Sequence, residues 1–118
     1  MVIMSQNKQV LINSEYVREI FIAPAGDTSR VDTEAGKVRL VAATDENVII
    51  GMFKEVKHAV GALEFIAVCM VDEEAREKIT HVPTQENMEL SERMSSDDVF
   101  PGEVLKEFFE KIGMVDFI

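Results

Sequence analysis

Apolar residues near the start of the chain occur in short runs that polar residues interrupt, a pattern typical of β-strands. Apolar runs at residues 2–4 and 10–12 flank a polar cluster at residues 5–8, which predicts a tight hairpin. A third strand is predicted over residues 16–22, where β-branched and aromatic side chains are frequent. The chain therefore begins with a predicted series of neighbouring antiparallel strands.

A second, longer hairpin is predicted near the middle of the chain. Strands at residues 37–44 and 47–53 are separated by Asp45 and Glu46, a pair typical of a turn. Both faces of residues 47–53 are apolar, which indicates a strand at the centre of a sheet or against a partner chain. Gly51 in this strand leaves room for a group that packs closely above it.

The hydrophobic period changes to that of a helix between residues 54 and 78. One apolar stripe has steps of 4, 3, 4 and 3 residues and comprises Val56, Val60, Leu63, Ala67 and Met70. A second apolar stripe comprises Ala62, Phe65, Ile66 and Cys69. A helix that is apolar on two sides must be covered on both. We expect the sheet to cover one stripe, and the C-terminal segment or a second subunit to cover the other.

Two polar segments separate these predicted elements from their neighbours. Residues 24–36 lack periodicity and predict a loop, which serves as a simple connection, a disordered segment or a partner-binding segment. Residues 80–98 are polar with scattered apolar positions and predict a linker that contains one irregular helical turn.

An amphipathic helix is predicted over residues 101–112. Pro101 lies in its first turn, Asp97 or Asp98 is a possible N-cap, and Gly113 is its expected C′ residue. Its apolar face comprises Val104, Leu105, Phe108, Phe109 and Ile112. We expect this face to pack on the chain's own core or on another subunit.

Together these patterns predict an α+β fold. An antiparallel meander sheet of four or five strands is backed by one long helix, and a C-terminal amphipathic helix follows. The predicted core domain covers residues 1–78. Residues 79–118 are predicted to form a linker and a helical extension that packs on the core or on a second subunit.

Charge and composition restrict the function classes. The 118 residues suffice for one domain, and their net charge at pH 7 is −10. Residues 72–118 alone hold 13 acidic and 5 basic side chains. Because nucleic-acid binding relies on Lys and Arg that neutralise phosphates, we expect no direct binding to DNA or RNA. The acidic region leaves open an inhibitor that imitates the charge of a nucleic acid.

The same composition predicts where the protein works. No apolar run is long enough to span a membrane, and the first residues lack the pattern of a signal peptide. A single cysteine, Cys69, cannot form an intramolecular disulfide and indicates a reducing, cytoplasmic setting.

The residues that could carry out chemistry form no recognisable motif. Cys69 and His58 are 11 residues apart, which is about 16 Å along a helix axis and too far for a nucleophile and its base. Two histidines and one cysteine without CxxC or HExxH spacing predict no metal site, and phosphate-binding glycine motifs are absent. We therefore expect no catalytic residues, no cofactor and no metal.

Two sequence elements in the N-terminal half form a recognisable pair: the opening Met4-Ser5-Gln6-Asn7-Lys8 followed by Val10-Leu11-Ile12-Asn13, and the strand end Ile50-Gly51-Met52-Phe53 followed by a helix from Lys54. In these elements the chain resembles a group of small uncharacterised proteins from Gram-positive bacteria and their phages. The resemblance covers roughly residues 3–71, whereas the loop at 24–36 and the C-terminal extension depart from it. The resemblance implies a fold outline and a phage or mobile-element origin, but no mechanism.

These observations lead to a hypothesis of a small, non-enzymatic interaction or accessory protein. We expect it to form a homodimer or to dock on another protein. The predicted contact residues are Phe65, Cys69, Val104, Leu105, Phe108, Phe109 and Ile112. The alternatives are the acidic inhibitor of a basic nucleic-acid-binding protein, and a small-ligand-binding domain or enzyme.

Overall fold

The structure is a computed structural model that describes residues 1–24 and 38–94, together with residues 109, 111, 113 and 115–117. Its strands are β1 (Val2–Met4), β2 (Leu11–Asn13), β3 (Glu19–Pro24), β4 (Val38–Ala43), β5 (Asn47–Phe53), β6 (Lys78–His81) and β7 (Val115–Phe117). Its helices are α1 (Val56–Val71) and α2 (Gln85–Met94), with short 3-10 helices at Ser14–Tyr16 and Ala75–Glu77. The predicted α+β class is confirmed.

The N-terminal hairpin is also confirmed. β1 and β2 pair antiparallel, with Met4 opposite Leu11. Within the connecting turn, the Ser5 hydroxyl accepts a hydrogen bond from the Val10 amide at 3.1 Å. Lys8 adopts a left-handed conformation with φ of 61°, which turns the chain back towards β2.

β1 and β2 belong to a sheet with the order β2-β1-β6-β7. β1 runs parallel to β6, with Ile3 opposite Thr80, and both of these side chains are fully buried. β7 pairs antiparallel with β6. β6 and β7, from the C-terminal part of the chain, therefore belong to the same sheet as the N-terminal hairpin.

The other sheet is antiparallel and has the order β3-β4-β5. All six residues of β4 are buried, as expected for a central strand. A β-bulge interrupts the pairing of β4 with β5: Leu40 lies opposite Gly51, whereas Val41 lies opposite Ile49. Ile50 is therefore the extra residue of β5.

The predicted single meander of four or five strands is wrong, because the strands divide into these two sheets. The 3-10 helix at Ser14–Tyr16 redirects the chain between β2 and β3, and the Asn13 side chain caps it by accepting a hydrogen bond from the Glu15 amide at 3.0 Å. The strand predicted to start at Tyr16 consequently begins at Glu19.

Gln6, in the turn after β1, forms four hydrogen bonds, three of them with β5 of the other sheet. Its amide donates to the Ile50 carbonyl at 2.8 Å. Its side-chain Oε1 accepts from the Met52 amide at 2.9 Å, and its Nε2 donates to the carbonyls of Met52 and Pro83 at 3.1 and 3.0 Å. Because β5 is an edge strand, these bonds satisfy backbone groups that a further strand would otherwise pair with.

α1 packs against β3, β4 and β5 and is shorter than the predicted helix at residues 54–78. It ends at Val71, since the backbone of Asp72 is extended. On its buried side, the ring of Phe65 meets that of Phe109 edge to face, with 4.8 Å between the ring centroids. This contact is worth roughly 1 kcal/mol beyond the buried area.

α2 replaces the linker that the sequence predicts over residues 80–98. Its N-terminus is capped reciprocally: the Thr84 hydroxyl accepts from the Asn87 amide at 3.1 Å, and Asn87 Oδ1 accepts from the Thr84 amide at 2.9 Å. Met88 is fully buried and fixes one face of α2 to the core.

Two further predictions fall mainly on residues outside the described ranges. Of the predicted loop at residues 24–36, only Pro24, the last residue of β3, is described. Of the predicted helix at residues 101–112, Phe109 and Lys111 are described and both are helical. Gly113 has φ of 81°, as expected for a residue at C′. None of the described helices has the length and apolarity needed to cross a bilayer.

Candidate functional site

One side of α1 is apolar although it faces solvent. We call Val56, Val60, Leu63, Ala67 and Met70 the outer stripe. Val56 is 58% exposed and Val60 is 38% exposed, while Leu63 and Met70 are half-buried. Val71, beside the end of the stripe, is 78% exposed. A helix on the surface of a protein usually carries charged residues on this side, so the outer stripe is a candidate contact surface.

Only two ionised side chains lie beside the outer stripe on α1, namely Lys57 and Glu64, and both are exposed. Each follows a residue of the stripe directly, Val56 in one case and Leu63 in the other. Their charges cancel, so this side of α1 is neutral in a chain whose net charge is −10.

A groove of about 610 Å³ continues the outer stripe towards the start of the chain. Leu63, Ala67 and Met70 form one wall, and the opposite wall includes Val17 and Ile20. Four charged residues also line it: Glu15, Arg18, Glu19 and Arg76. The lining thus combines apolar side chains with two acidic and two basic residues, so its charges balance and it suits an apolar side chain or helix more than an ionic ligand.

A polar cluster lies where the start of α1 meets α2, and we call it the His58 cluster: Glu55, Lys57, His58, Gln85 and Glu92. His58 is buried, and its Nε2 lies 2.6 Å from Glu92 Oε2. Its Nδ1 lies 3.0 Å from Gln85 Nε2. Lys57 Nζ contacts Glu92 Oε1 at 2.5 Å and Glu55 Oε2 at 3.6 Å. Two side chains of α1, Lys57 and His58, therefore contact two residues of α2, Gln85 and Glu92, that lie seven positions apart.

The hydrogen bonds of Gln85 assign the tautomer of His58. Gln85 Oε1 accepts from the Lys54 amide at 2.8 Å, so its Nε2 faces His58 and Glu89 as a donor. An amide N–H can only donate to a ring nitrogen that carries a lone pair. His58 therefore accepts at Nδ1 and donates from Nε2 to Glu92. Hydrogen bonds from Lys57 and then from His58 lower the pKa of the Glu92 carboxyl below its usual value.

The His58 cluster contains side chains of the types that bind metals, but these side chains already form hydrogen bonds and ion pairs with one another. One ligand atom from each of Glu55, His58 and Glu92 lies within 4.8 Å of the others. A metal at Nδ1 would have to displace Gln85, and a metal at Nε2 would require the other tautomer. The ammonium of Lys57 already balances Glu92. The geometry fits an ion-paired network that docks α2 on α1 better than a metal centre or a general base.

A second groove, of about 550 Å³, runs along the edge of β5 between the Ser5–Val10 turn and the start of α2. Gln6 forms hydrogen bonds with backbone groups of β5 at this groove, and Thr84 and Asn87 cap the helix that begins there. These polar groups are thus engaged within the chain.

The structure places three of the predicted contact residues in the core. Phe65, Cys69 and Phe109 are fully buried, and Phe65 packs on Phe109 within the same chain. These three side chains are not accessible to a partner in this structure. The other predicted contact residues, Val104, Leu105, Phe108 and Ile112, lie outside the described residues.

The His58 cluster is the feature that sequence reasoning missed. The histidine was recognisable, but Gln85 and Glu92 lie in a segment that the sequence predicts as a linker. A weak signal existed in Thr84 and Asn87, which have the spacing of a capping box after Pro83. With α2 recognised, Gln85 and Glu92 would fall on one face of a helix.

Comparisons with known proteins add no family to this geometry. The chain matches no family model, no curated protein and no solved structure at a significant level. The resemblance to small proteins of Gram-positive bacteria and their phages stays a prediction.

Proposed function

We propose that this protein is a small, non-enzymatic interaction or accessory protein that works by contact with another protein chain. Its contact surface is the outer stripe of α1 with the adjoining groove. The observation that carries this proposal is the exposure of Val56 and Val60 on a helix that offers solvent only one lysine and one glutamate beside them.

The burial of Phe65 and Cys69 helps to decide between the two stripes of α1. The sheet and Phe109 cover the stripe that contains them, so a partner must use the other one. Covering the outer stripe removes apolar area from water, and each fully buried Val or Leu side chain contributes about 1.5–3 kcal/mol.

We propose that the protein carries out no catalysis, because the polar side chains of the His58 cluster already form hydrogen bonds with one another. His58 has both ring nitrogens in hydrogen bonds, and it lines neither of the two grooves described above. Cys69, the only thiol, is fully buried. A cytoplasmic setting and a phage or mobile-element origin belong to the same proposal, supported by the single cysteine and by the resemblance of residues 3–71.

A comparison of two surface variants tests the proposal. Val60→Asp places a carboxylate in the outer stripe, and Leu11→Asp makes the same change at an exposed apolar residue of β2. Tagged native and variant proteins are incubated with lysate of the source cell, and retained proteins are quantified by mass spectrometry. We expect a specific protein, an untagged copy of the chain included, to be lost with Val60→Asp and kept with Leu11→Asp. Equal retention by both variants would refute the assignment of the surface.

The same experiment at 0.5 M salt distinguishes the alternative of a nucleic-acid mimic. Contacts between an acidic surface and a basic protein weaken steeply with salt, whereas burial of an apolar stripe does not. The mimic would be favoured by a basic protein that is retained at low salt and lost at 0.5 M salt. Such a protein should bind Val60→Asp as well as it binds the native chain.

A further inference from the structure

The spacing of the outer stripe is that of a helix–helix seam. Steps of 4, 3, 4 and 3 residues average 3.5, the repeat of two helices that pack side by side with a crossing angle of about 20°. α1 has 16 residues, so the seam runs for about 24 Å. The matching occupant of such a seam is a second helix with the same period.

We propose that this occupant is α1 of a second copy of the chain, packed antiparallel about a two-fold axis near Gly61 and Ala62. The inference rests on the proposed function, because it takes the outer stripe as the contact surface and names its partner. In this register Val60 of one copy packs against Leu63 of the other, and Val56 packs against Ala67. Each stripe residue from Val56 to Ala67 then meets a stripe residue, as an isologous interface requires.

The two charges beside the seam fit the same arrangement. Lys57 and Glu64 each follow a stripe residue, so both occupy the same flank of the seam. In an antiparallel pair the equivalent flanks of the two helices meet, which brings Lys57 of each copy to Glu64 of the other. The two-fold axis makes two such pairs, and no like charges face each other.

Charge also favours a second copy over a basic partner at this surface. Two chains with a net charge of −10 repel each other, so they associate most readily through a neutral face. The outer stripe with Lys57 and Glu64 is neutral, whereas residues 72–118 carry most of the negative charge. A basic protein would be drawn to those acidic residues and would gain nothing electrostatic from α1.

The groove beside Leu63, Ala67 and Met70 offers the space that the second helix needs. Its volume of about 610 Å³ can accept Val56 and Val60 of the second copy, which stand opposite this end of the stripe. The area of a helix face that measures about 24 by 10 Å is smaller than the roughly 800 Å² that each partner buries in a standard interface. We therefore expect a weak dimer, with a Kd on the order of micromolar.

Sedimentation equilibrium of the native chain between low and high micromolar concentration tests the inference. We expect the mass to rise from 13.3 kDa towards twice that value. Val60→Asp should remain at 13.3 kDa while keeping the native circular dichroism spectrum, because Val60 is partly exposed. Leu11→Asp should dimerise like the native chain. Glu64→Lys should raise the Kd roughly tenfold, since it sets two pairs of positive charges against each other.

Disulfide trapping tests the orientation of the two helices. A mixture of Val56→Cys and Ala67→Cys chains should give a disulfide-linked heterodimer, because the antiparallel register brings these positions together. Val56→Cys alone should not cross-link to itself, since its two copies would lie about 16 Å apart along the axis. Self-linking of Val56→Cys would show a parallel pair and overturn the proposed geometry.

Failure of the dimer and failure of the proposed function have different signatures. A native chain that stays at 13.3 kDa at every concentration overturns the second copy as occupant, yet a lysate protein lost with Val60→Asp still supports the contact surface. A dimer that Val60→Asp does not weaken shows that the copies meet elsewhere and also overturns the inference.

Discussion

Replacement of Gln6 by alanine should cost far more stability than its place in a surface turn suggests. The change removes three side-chain hydrogen bonds: two with the backbone of Met52 and one with the carbonyl of Pro83. Those bonds connect the turn after β1 to the edge of β5 and to the segment before α2. The backbone hydrogen bond of Gln6 to Ile50 remains possible in the variant.

The expected loss follows from the number of bonds and their burial. Each hydrogen bond contributes a net 0.5–1.5 kcal/mol or so, and the three bonds therefore contribute about 1.5–4.5 kcal/mol together. Met52 is only partly buried, so water replaces some of what its backbone loses. We expect the free energy of unfolding to fall by about 2–3 kcal/mol for Gln6→Ala.

Urea denaturation followed by circular dichroism measures this loss, with the midpoint expected to fall by about 1–2 M at an unchanged slope. Gln9→Ala is the matched control, because Gln9 lies exposed in the same turn, and its change should stay within about 0.5 kcal/mol. Gln6→Glu keeps the acceptor for the Met52 amide but turns a carboxylate oxygen towards two carbonyls, so it should destabilise at least as much as alanine. Equal unfolding energies for Gln6→Ala and Gln9→Ala would refute the role of Gln6 as a bridge.

Three further predictions concern single side chains. Gly51→Ala brings a Cβ to 3.1 Å from the Val82 side chain, so unfolding should become easier by about 1–3 kcal/mol, and part of this should return in the Val82→Ala background. Thr80→Val should leave urea stability unchanged or raise it by up to about 1 kcal/mol, because the buried hydroxyl has no hydrogen-bond partner among the described residues. Because the pKa of Glu92 is lowered, its contacts stabilise the folded state at pH values above 4.5, the usual pKa of the carboxyl group. This stabilisation is lost as the pH falls below that value. Glu92→Gln should therefore flatten the dependence of unfolding free energy on pH in this acidic range, and an unaltered pH profile would contradict the assignment.

The local patterns in the sequence were sufficient for the elements that form from neighbouring residues. The hairpin of β1 and β2, the pairing of β4 with β5 and the period of α1 all depend on contacts close in sequence. The place of Gly51 in an apolar strand likewise predicts a group that packs closely above it, and in the structure this group is the Val82 side chain. Each of these features needs only the strand and helix periods and the turn residues to be recognised.

The division into two sheets depends on the pairing of β1 with β6, which no local sequence pattern predicts. β1 pairs parallel with β6, so Ile3 meets Thr80 across most of the length of the chain. Strands of three and four residues carry little periodicity, and parallel pairing needs a long connection that the sequence does not specify. The helix α2 was missed for a related reason: only Met88 and a few other apolar residues mark its buried face, so its period is weak.

The sequence predicted both apolar stripes of α1 but not which of them is buried. Each stripe satisfies the helical period equally well, and the choice depends on what packs against it. The buried stripe contains Phe65 and Ile66, whose large side chains remove more apolar area from water than the smaller Val60 and Ala67 of the outer stripe. Phe65 and Phe109, which the sequence predicts as contact residues, pack on each other within the core of the chain.

Lys57 lies where the His58 cluster and the outer stripe meet, and this position limits what the proposed dimer gains from charge. Its ammonium contacts Glu92 within the chain, so it must turn away or be shared to reach Glu64 of a second copy. Because one exposed ion pair is exchanged for another, the net gain is at most a few tenths of a kcal/mol for each pair. The affinity of the dimer must then come from the valines and leucine of the outer stripe. The charges instead select the antiparallel register, because a parallel pair or a shifted register leaves Glu64 without a cation. Val60→Asp should accordingly abolish the dimer, whereas Glu64→Lys should weaken it and leave its orientation less well defined in the disulfide-trapping experiment.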